Sequence, residues 1–269
     1  MNRRYSLASV LVILVAGAIY LWLHPEQAGA PAPPIDSTTT TADTVRPAAP
    51  GQAAAGGQYV LAISWEPAFC EGAGGKPECR SQTSSRIDAT RLSLHGLWPE
   101  DEYCGVGSRD ESFDKSGDWD NLPRVDLSPA TTADLDRIMP GTQSRLERHE
   151  WLKHGTCSGA SADTYFGRAV LFLDTINNSA VGQLLGASIG KRLDGTAIRN
   201  AFDTAFGTGA GDRVRIACSQ DGDRRLISEI TIGLRGDVLG TGGIGELIAA
   251  SRPTDPGCKG GIVDRVGRN

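Results

Sequence analysis

The chain has 269 residues, 27 basic and 32 acidic, for a net charge of −5. That balance argues against a broad polyanion-binding surface, which would be basic, but leaves open a small site that contacts one or two phosphates. Six cysteines without a C-x-x-C pair weaken zinc-ribbon and thioredoxin-like readings, and their even number behind an apolar N-terminus predicts disulfides formed outside the cytoplasm.

Residues 1–6 carry Arg3 and Arg4 and are expected on the cytoplasmic side. Residues 7–23 form an apolar run of 17. This is longer than the core of a typical export signal (~7–15) and at the short end of a spanning helix (~17–25). Tyr20 and Trp22 suit a membrane interface. An uncleaved single-pass anchor is the expected reading. The alternative is a signal cleaved after the small triplet Ala28-Gly29-Ala30, which Pro31 disfavours. Either way the rest of the chain lies outside the cytoplasm, in the periplasm or beyond it. Residues 24–57 are Pro-, Ala-, Thr- and Gly-rich, cannot bury a core and read as an extended tether. His24 lies there and is given no catalytic role. The three arginines and three acids of residues 1–57 cancel, so the domain expected at 58–269 also carries −5.

That domain opens on a predicted strand over 58–65, rich in branched and aromatic residues and stopped by Pro67. Cys70 and Cys79 flank a Gly-rich loop that a local disulfide would close. A second strand is predicted over 91–97, stopped by Pro99, and 105–123 reads as irregular and acidic. Ser128-Pro129 is a helix start, with Ser as cap and Pro at the first position. A second helix is predicted over 142–153, capped by Thr142 and ended by Gly155, a third over 163–177 and a fourth over 196–206. The last third alternates as β-structure around a turn at Asp221-Gly222. The final thirty residues show no assignable pattern. Strands at both ends with helices between them predict an α+β domain with a mainly antiparallel sheet.

Three of the four histidines stand in two short runs, L-S-L-H-G-L-W-P-E ending at Glu100 and R-H-E-W-L-K-H-G-T-C-S starting at Arg148. On a helix, His149, Glu150, Lys153 and His154 fall within one arc of about 140°. Trp151 and Leu152 point elsewhere, into the core. A zinc helix would read H-E-x-x-H. Here a lysine occupies the ligand position and would repel a metal, so neither a metal nor another cofactor is expected. Metal-free phosphoryl transfer fits better. A ribose 2′-hydroxyl attacking its own phosphorus needs a base, and the departing 5′-oxygen needs an acid. Histidines suit both near neutral pH. Lys153 supplies positive charge for the phosphoryl oxygens and Glu150 a counter-charge for an imidazolium. His95, brought opposite this face, completes the pair. The residues alone leave open which histidine is acid and which is base. Singly each signal is weak; their combination carries the reading.

The runs H-G-L-W-P and H-E-W-L-K-H-G-T-C resemble the two active-site segments of the ribonuclease T2 family, and S-W-E-P-A-F-C resembles that family's opening segment. The resemblance implies a disulfide-stabilised domain of that fold. It further implies an endoribonuclease that cleaves single-stranded RNA through a 2′,3′-cyclic phosphate with low base specificity. By position, His95 is similar to the general acid, His154 to the general base and His149 to the phosphate-binding histidine. Glu150 and Lys153 resemble the pair that stabilises pentacovalent phosphorus, and Trp98 the aromatic residue on which a base stacks. Glu100 and Tyr103 are expected as edge-reading and stacking partners of Trp98. The disulfides implied are Cys70–Cys79, Cys104–Cys157 and Cys218–Cys258.

The chain departs from the family where many members carry aromatic residues before the second motif. Arg145-Leu146-Glu147-Arg148 stands there, which puts the downstream base pocket in doubt. The expected partner is RNA, and the expected state is a monomer. The rival reading is a non-catalytic RNA-binding or signalling module of the same fold, and loss of a histidine would have favoured it. A toxin or stress effector would use the same chemistry as a scavenging enzyme.

Overall fold

The computed structural model describes residues 57–267, so the expected anchor and the tether up to residue 56 lie outside the described residues, and Gly57 belongs to the first strand. Among those described, no helix is long and apolar enough to cross a membrane. Strand β1 (Gly57–Ser64) forms where branched side chains predict it, and Leu61, Ala62 and Ile63 are fully buried. Proline at the first helical turn starts both α1 (Glu66–Gly72) and α2 (Pro77–Arg80). The chain returns antiparallel to β1 as β2 (Ser93–Pro99).

Helices follow. The acidic stretch read as irregular contains α3 (Ser108–Ser116), which Gly117 ends in the left-handed conformation. It has one large apolar residue, Phe113, so no amphipathic period betrayed it. Ser128 caps α4 (Pro129–Ile138) by accepting from the Thr131 N–H, as its sequence signature predicts.

The helix expected over 142–153 is shorter. Pro140–Ser144 winds as a 3-10 turn, Arg145 takes a left-handed φ of 67°, and α5 (Leu146–Lys153) begins only after it. Thr142 is therefore not a cap. Gly141 allows the tight approach, because a methyl there would overlap the Leu146 side chain. Then come α6 (Ala162–Asn177), capped by Ser161, and α7 (Ala180–Ala187). Strand β3 (Arg192–Asp194) leads into α8 (Gly195–Phe206), capped by Asp194. The β-rich third supplies β4 (Val214–Asp221) and β5 (Arg224–Gly236). The unassigned tail supplies α9 (Ile244–Ala250) and β6 (Gly260–Ile262).

The sheet runs β2-β1-β5-β6-β3, with β4 also paired to β5. Its pairings are antiparallel except for the contact of β5 with β6, which makes an α+β domain with a mainly antiparallel sheet. Disulfides join Cys70 to Cys79, Cys104 to Cys157 and Cys218 to Cys258, the pairs the family resemblance implies. The core collects Leu61, Ile63 and Leu97 of β1 and β2, Ile230 and Ile232 of β5, and Tyr165, Phe166, Phe172 and Phe202 of α6 and α8.

Two features of the sheet aim side chains at one place. On β2, Leu94 pairs with Ile63 and Gly96 with Ala62, so His95 is the unpaired residue of a β-bulge. On β5 a second bulge leaves Ser228 without a partner on β4, next to Glu229. Helix α6 then clamps β2. The Asn177 amide bonds both the N–H and the carbonyl of Leu92 (3.1 and 2.9 Å), and the Tyr165 hydroxyl donates to the Leu97 carbonyl (2.6 Å). Removing the first clamp leaves two buried backbone groups unpaired, each costing about 1–3 kcal/mol. Asn177→Ala is therefore expected to lower unfolding free energy by roughly 2–4 kcal/mol, read as a fall in the urea midpoint with an unchanged slope.

Candidate active site

Helix α5 brings the second motif to the bulged end of β2. It stops at Lys153, and His154 forms its C-cap, donating its N–H to the Glu150 carbonyl (3.1 Å). Leu152 is buried, and Trp151 packs edge-on against Tyr165, so the face opposite the motif faces the core as expected. A methyl at Gly155 would overlap the Trp151 ring. The glycine after the helix is thus required by close packing.

Glu150 is fully buried at the centre. Its Oε2 accepts from the Trp98 indole N–H (2.8 Å). Its Oε1 makes no hydrogen bond but lies 3.5 Å from His95 Nε2 and 3.8 Å from His149 Nε2. Burial pushes its carboxyl up to about 7, against the pull of His95, the Trp98 bond and Lys153. The Trp98 ring lies edge-on to His95 (5.2 Å) and stacked on His154 (5.5 Å). Trp98 therefore spans His95 and His154 and holds the carboxylate that His95 shares with His149.

Two carboxylates absent from either motif complete the cluster. His95 Nδ1 is 2.6 Å from Glu229 Oε2, and His149 Nδ1 is 2.7 Å from Asp114 Oδ1. Burial alone would lower the His95 imidazolium. The Glu229 bond and the charges of Glu150, Glu229 and Glu66 outweigh it and hold the pKa above the ordinary histidine value. Burial lowers His149, with Lys153 and His95 adding to that effect against Asp114. His154 has no carboxylate partner. Burial, then the charges of Lys153, His149 and His95, push it down to about 3, and its Nδ1 is buried without a hydrogen bond. Lys153 Nζ sits 3.3 Å from Glu102 Oε1 near the surface.

Glu229 had a weak sequence signal, a lone acid within a branched, apolar strand that such residues disfavour. Asp114 had none.

The Cys104–Cys157 disulfide and the Tyr103 N–H bond to the Lys153 carbonyl (2.8 Å) tie the segment after β2 to the end of α5. Tyr103, at a left-handed φ of 56°, donates its hydroxyl to Asp114 Oδ2 (2.8 Å). It thereby supports His149 through Asp114. Glu100 is exposed and lines a separate cleft with Asp101 and Cys157. The structure therefore does not gather Glu100 and Tyr103 around Trp98. A cavity of about 300 Å³ opens beside His95, lined also by Phe69, Lys76, Glu78, Trp119 and Ser144 among others. Trp119 stacks on His149 with ring centroids 4.6 Å apart.

Among the described residues, one grouping has metal-ligand spacing, Glu66 with Cys70 and Cys79. Both sulfurs are consumed in a disulfide, so no thiolate is offered.

Two imidazoles on one buried carboxylate and a third stacked on Trp98, with no free thiol among the described residues, suit acid–base chemistry. A family model described as "Ribonuclease T2 family" matches residues 56–242. Over 210 residues the chain is 31% identical to "Ribonuclease I" of Escherichia coli, covering 68% of this chain and 76% of that protein. It is 36% identical over 115 residues to a "Probable ribonuclease" of Haemophilus influenzae, 41% of this chain and 39% of that one. With "Extracellular ribonuclease LE" of Solanum lycopersicum it shares 28% over 157 residues, 55% of this chain and 64% of that one. The last two alignments span less than two thirds of those relatives. The crystal structure of a self-incompatibility-associated SF11-RNase of Nicotiana alata superposes with a TM-score of 0.48 at 19% identity, over 75% of this chain and 92% of that one. The class is thus that of RNA endonucleases. The chain belongs to the ribonuclease T2 family.

Gly96 is the tightest point of the cluster, because a methyl there would overlap both Glu150 Oε2 and Trp98 Nε1. Displacing a catalytic group by about 1 Å typically costs about 10²-fold. Gly96→Ala is expected to cut the specific RNA-cleaving activity by about that factor while far-UV circular dichroism stays native.

Proposed function

We propose that this domain cleaves single-stranded RNA by metal-free transphosphorylation, with little selectivity for the base before the scissile bond. His154 takes the proton of the 2′-hydroxyl as the O2′–P bond forms. His95 gives its proton to O5′ as the P–O5′ bond breaks. The products are a 2′,3′-cyclic phosphate and a free 5′-hydroxyl. His149 and Lys153 bind the phosphoryl oxygens, and Glu150 balances the imidazolium charges. Glu229 holds His95 by Nδ1, which leaves Nε2 to carry the transferable proton, and Asp114 does the same for His149.

The observation that carries this reading is the opposed shift of two histidines on either side of Trp98. The surroundings of His95 favour its charged form and those of His154 its neutral form. Neighbouring groups whose environments separate their pKa values are suited to complementary acid and base roles. That supports the acid and base assignments that the residues alone leave open. The anionic phosphate raises His154 from its low value as substrate enters, towards the range where a base works best.

The cavity beside His95 suits the base of the departing nucleoside, because the leaving oxygen lies on the His95 side. Three disulfides support an extracytoplasmic location. Membrane attachment through residues 7–23, and a monomeric state, complete the proposal.

Full-length chain incubated with RNA and EDTA is expected to leave 2′,3′-cyclic phosphate ends. Loss of activity on chelation, restored by a divalent ion, would overturn the metal-free mechanism. His154→Ala is expected to lose at least about 10²-fold, and near-normal activity would remove it as the base. RNA binding without any cleavage would favour a binding module.

The pH profile follows from the two shifts. Activity needs neutral His154, so the acid limb should fall below the ordinary histidine range. It also needs protonated His95, so the alkaline limb should lie above that range. Glu229→Gln keeps an acceptor for His95 Nδ1 but removes the negative charge that favours the imidazolium, and is expected to move the alkaline limb to lower pH. An unmoved limb in kcat/KM would take Glu229 out of the mechanism.

A further inference from the structure

The cavity beside His95 contains a charged group that the cleavage chemistry does not use. Glu78, on the four-residue helix α2, is 1% exposed. Its Oε1 accepts from the Ser144 hydroxyl (2.9 Å) and lies 3.9 Å from Lys76 Nζ. Its Oε2 is buried without any hydrogen-bond partner. A buried carboxylate oxygen left unpaired is costly, and a ligand that supplies a donor recovers that cost. The backbone around it is held firmly. The Glu78 carbonyl accepts from Arg86 (3.0 Å) and Ser81 (3.2 Å), and the Cys70–Cys79 disulfide closes the loop beside it. The acceptor is therefore fixed before any ligand arrives.

Lys76 sets a donor next to this acceptor. Its ammonium stands 5.0 Å above the Trp119 ring, also in the cavity lining. At 3.9 Å from Glu78 it is too far for a hydrogen bond, so both groups keep capacity for a ligand. Phe69 lines the same cavity and is 38% exposed, an aromatic face on which a base can stack. The second buried carboxyl of the lining, Glu66, already accepts from Ser93 (3.3 Å).

We propose that Lys76 and Glu78 select guanine as the base immediately after the scissile phosphate. The inference rests on the reading of His95 as the group that protonates the leaving nucleoside. Guanine alone presents a carbonyl oxygen beside two adjacent N–H donors along one edge. O6 faces the Lys76 ammonium, while N1–H and N2–H donate to the Glu78 carboxylate. A carboxylate has about four acceptor sites, of which Ser144 uses one. Adenine and cytosine each present a single amino group there, beside a ring nitrogen that accepts. Uracil presents one N–H between two carbonyls, one of which would oppose Glu78. The expected order is guanine first and uracil last. Selectivity before the scissile bond stays low, so RNA is cleaved widely but with a graded downstream preference.

The experiment uses dinucleoside monophosphates with uridine upstream and each of the four bases, or inosine, downstream. UpG is expected to exceed UpU at least roughly tenfold in kcat/KM, in line with a bidentate base contact. UpI lacks only the N2 amino group and should fall severalfold below UpG. This substrate-side deletion does not depend on any variant folding. Glu78→Gln turns an acceptor into a donor and should collapse the UpG:UpU ratio towards one, with UpG cleaved more slowly and UpU, whose carbonyl no longer opposes an acceptor, cleaved faster. Equal cleavage of UpG and UpU, UpI as fast as UpG, or an unchanged ratio in the variant would overturn the proposal. Calorimetric binding of guanosine and uridine to the full chain gives an independent arm. Guanosine should bind more tightly, and parity would sink the idea whether or not any dinucleotide is cut. Loss of all cleavage with the guanosine preference intact would count against the acid–base mechanism alone.

Discussion

The arrangement depends on one buried carboxylate. Glu150 has no exposed surface, yet it faces two imidazoles and receives the Trp98 indole N–H. A charge in such a place is tolerated only when cations and donors converge on it. That requirement couples the elements. The helix must present Glu150 at the position where the bulge of β2 presents His95 and where Gly96 leaves room for its oxygen. The clamps of α6 on β2 and the Cys104–Cys157 link hold this geometry from outside the cluster.

Around the hub, like residues are placed in unlike surroundings. His95 has a carboxylate on each side, His149 has Asp114 behind it, and His154 has only a tryptophan face and cationic neighbours. Desolvation acts on all three and favours the neutral form. The carboxylates decide where that tendency is reversed. A division of labour between proposed acid and proposed base therefore arises from neighbours within the motifs, Glu150 and Lys153, together with Glu229 outside them.

Much of the scaffold was legible. The branched run at the start of the domain became β1, and Ser128-Pro129 opened a helix with the expected cap. Both are local effects, set by side-chain shape and by one side chain bonding its own backbone. What escaped were elements without a local signal. Helix α3 has no apolar stripe, and the helix expected from residue 142 is broken by the left-handed Arg145, a conformation a helical pattern does not reveal. The bulge at His95 was invisible for a related reason, since register depends on the partner strand.

By itself the sequence determined the chemistry available. Two runs contained the three histidines, the glutamate and the lysine, and the shifted H-E-x-x-K-H spacing put a cation where a zinc helix needs a ligand. Those are properties of residue type and of helical period, which a chain carries before it folds. Only the tertiary structure decided how each group is tuned. Glu229 lies 134 residues from His95, Asp114 lies 35 from His149, and Glu78 meets Ser144 across 66. Electrostatic tuning depends on distance in space and on exclusion of water. Neither is a function of separation along the chain.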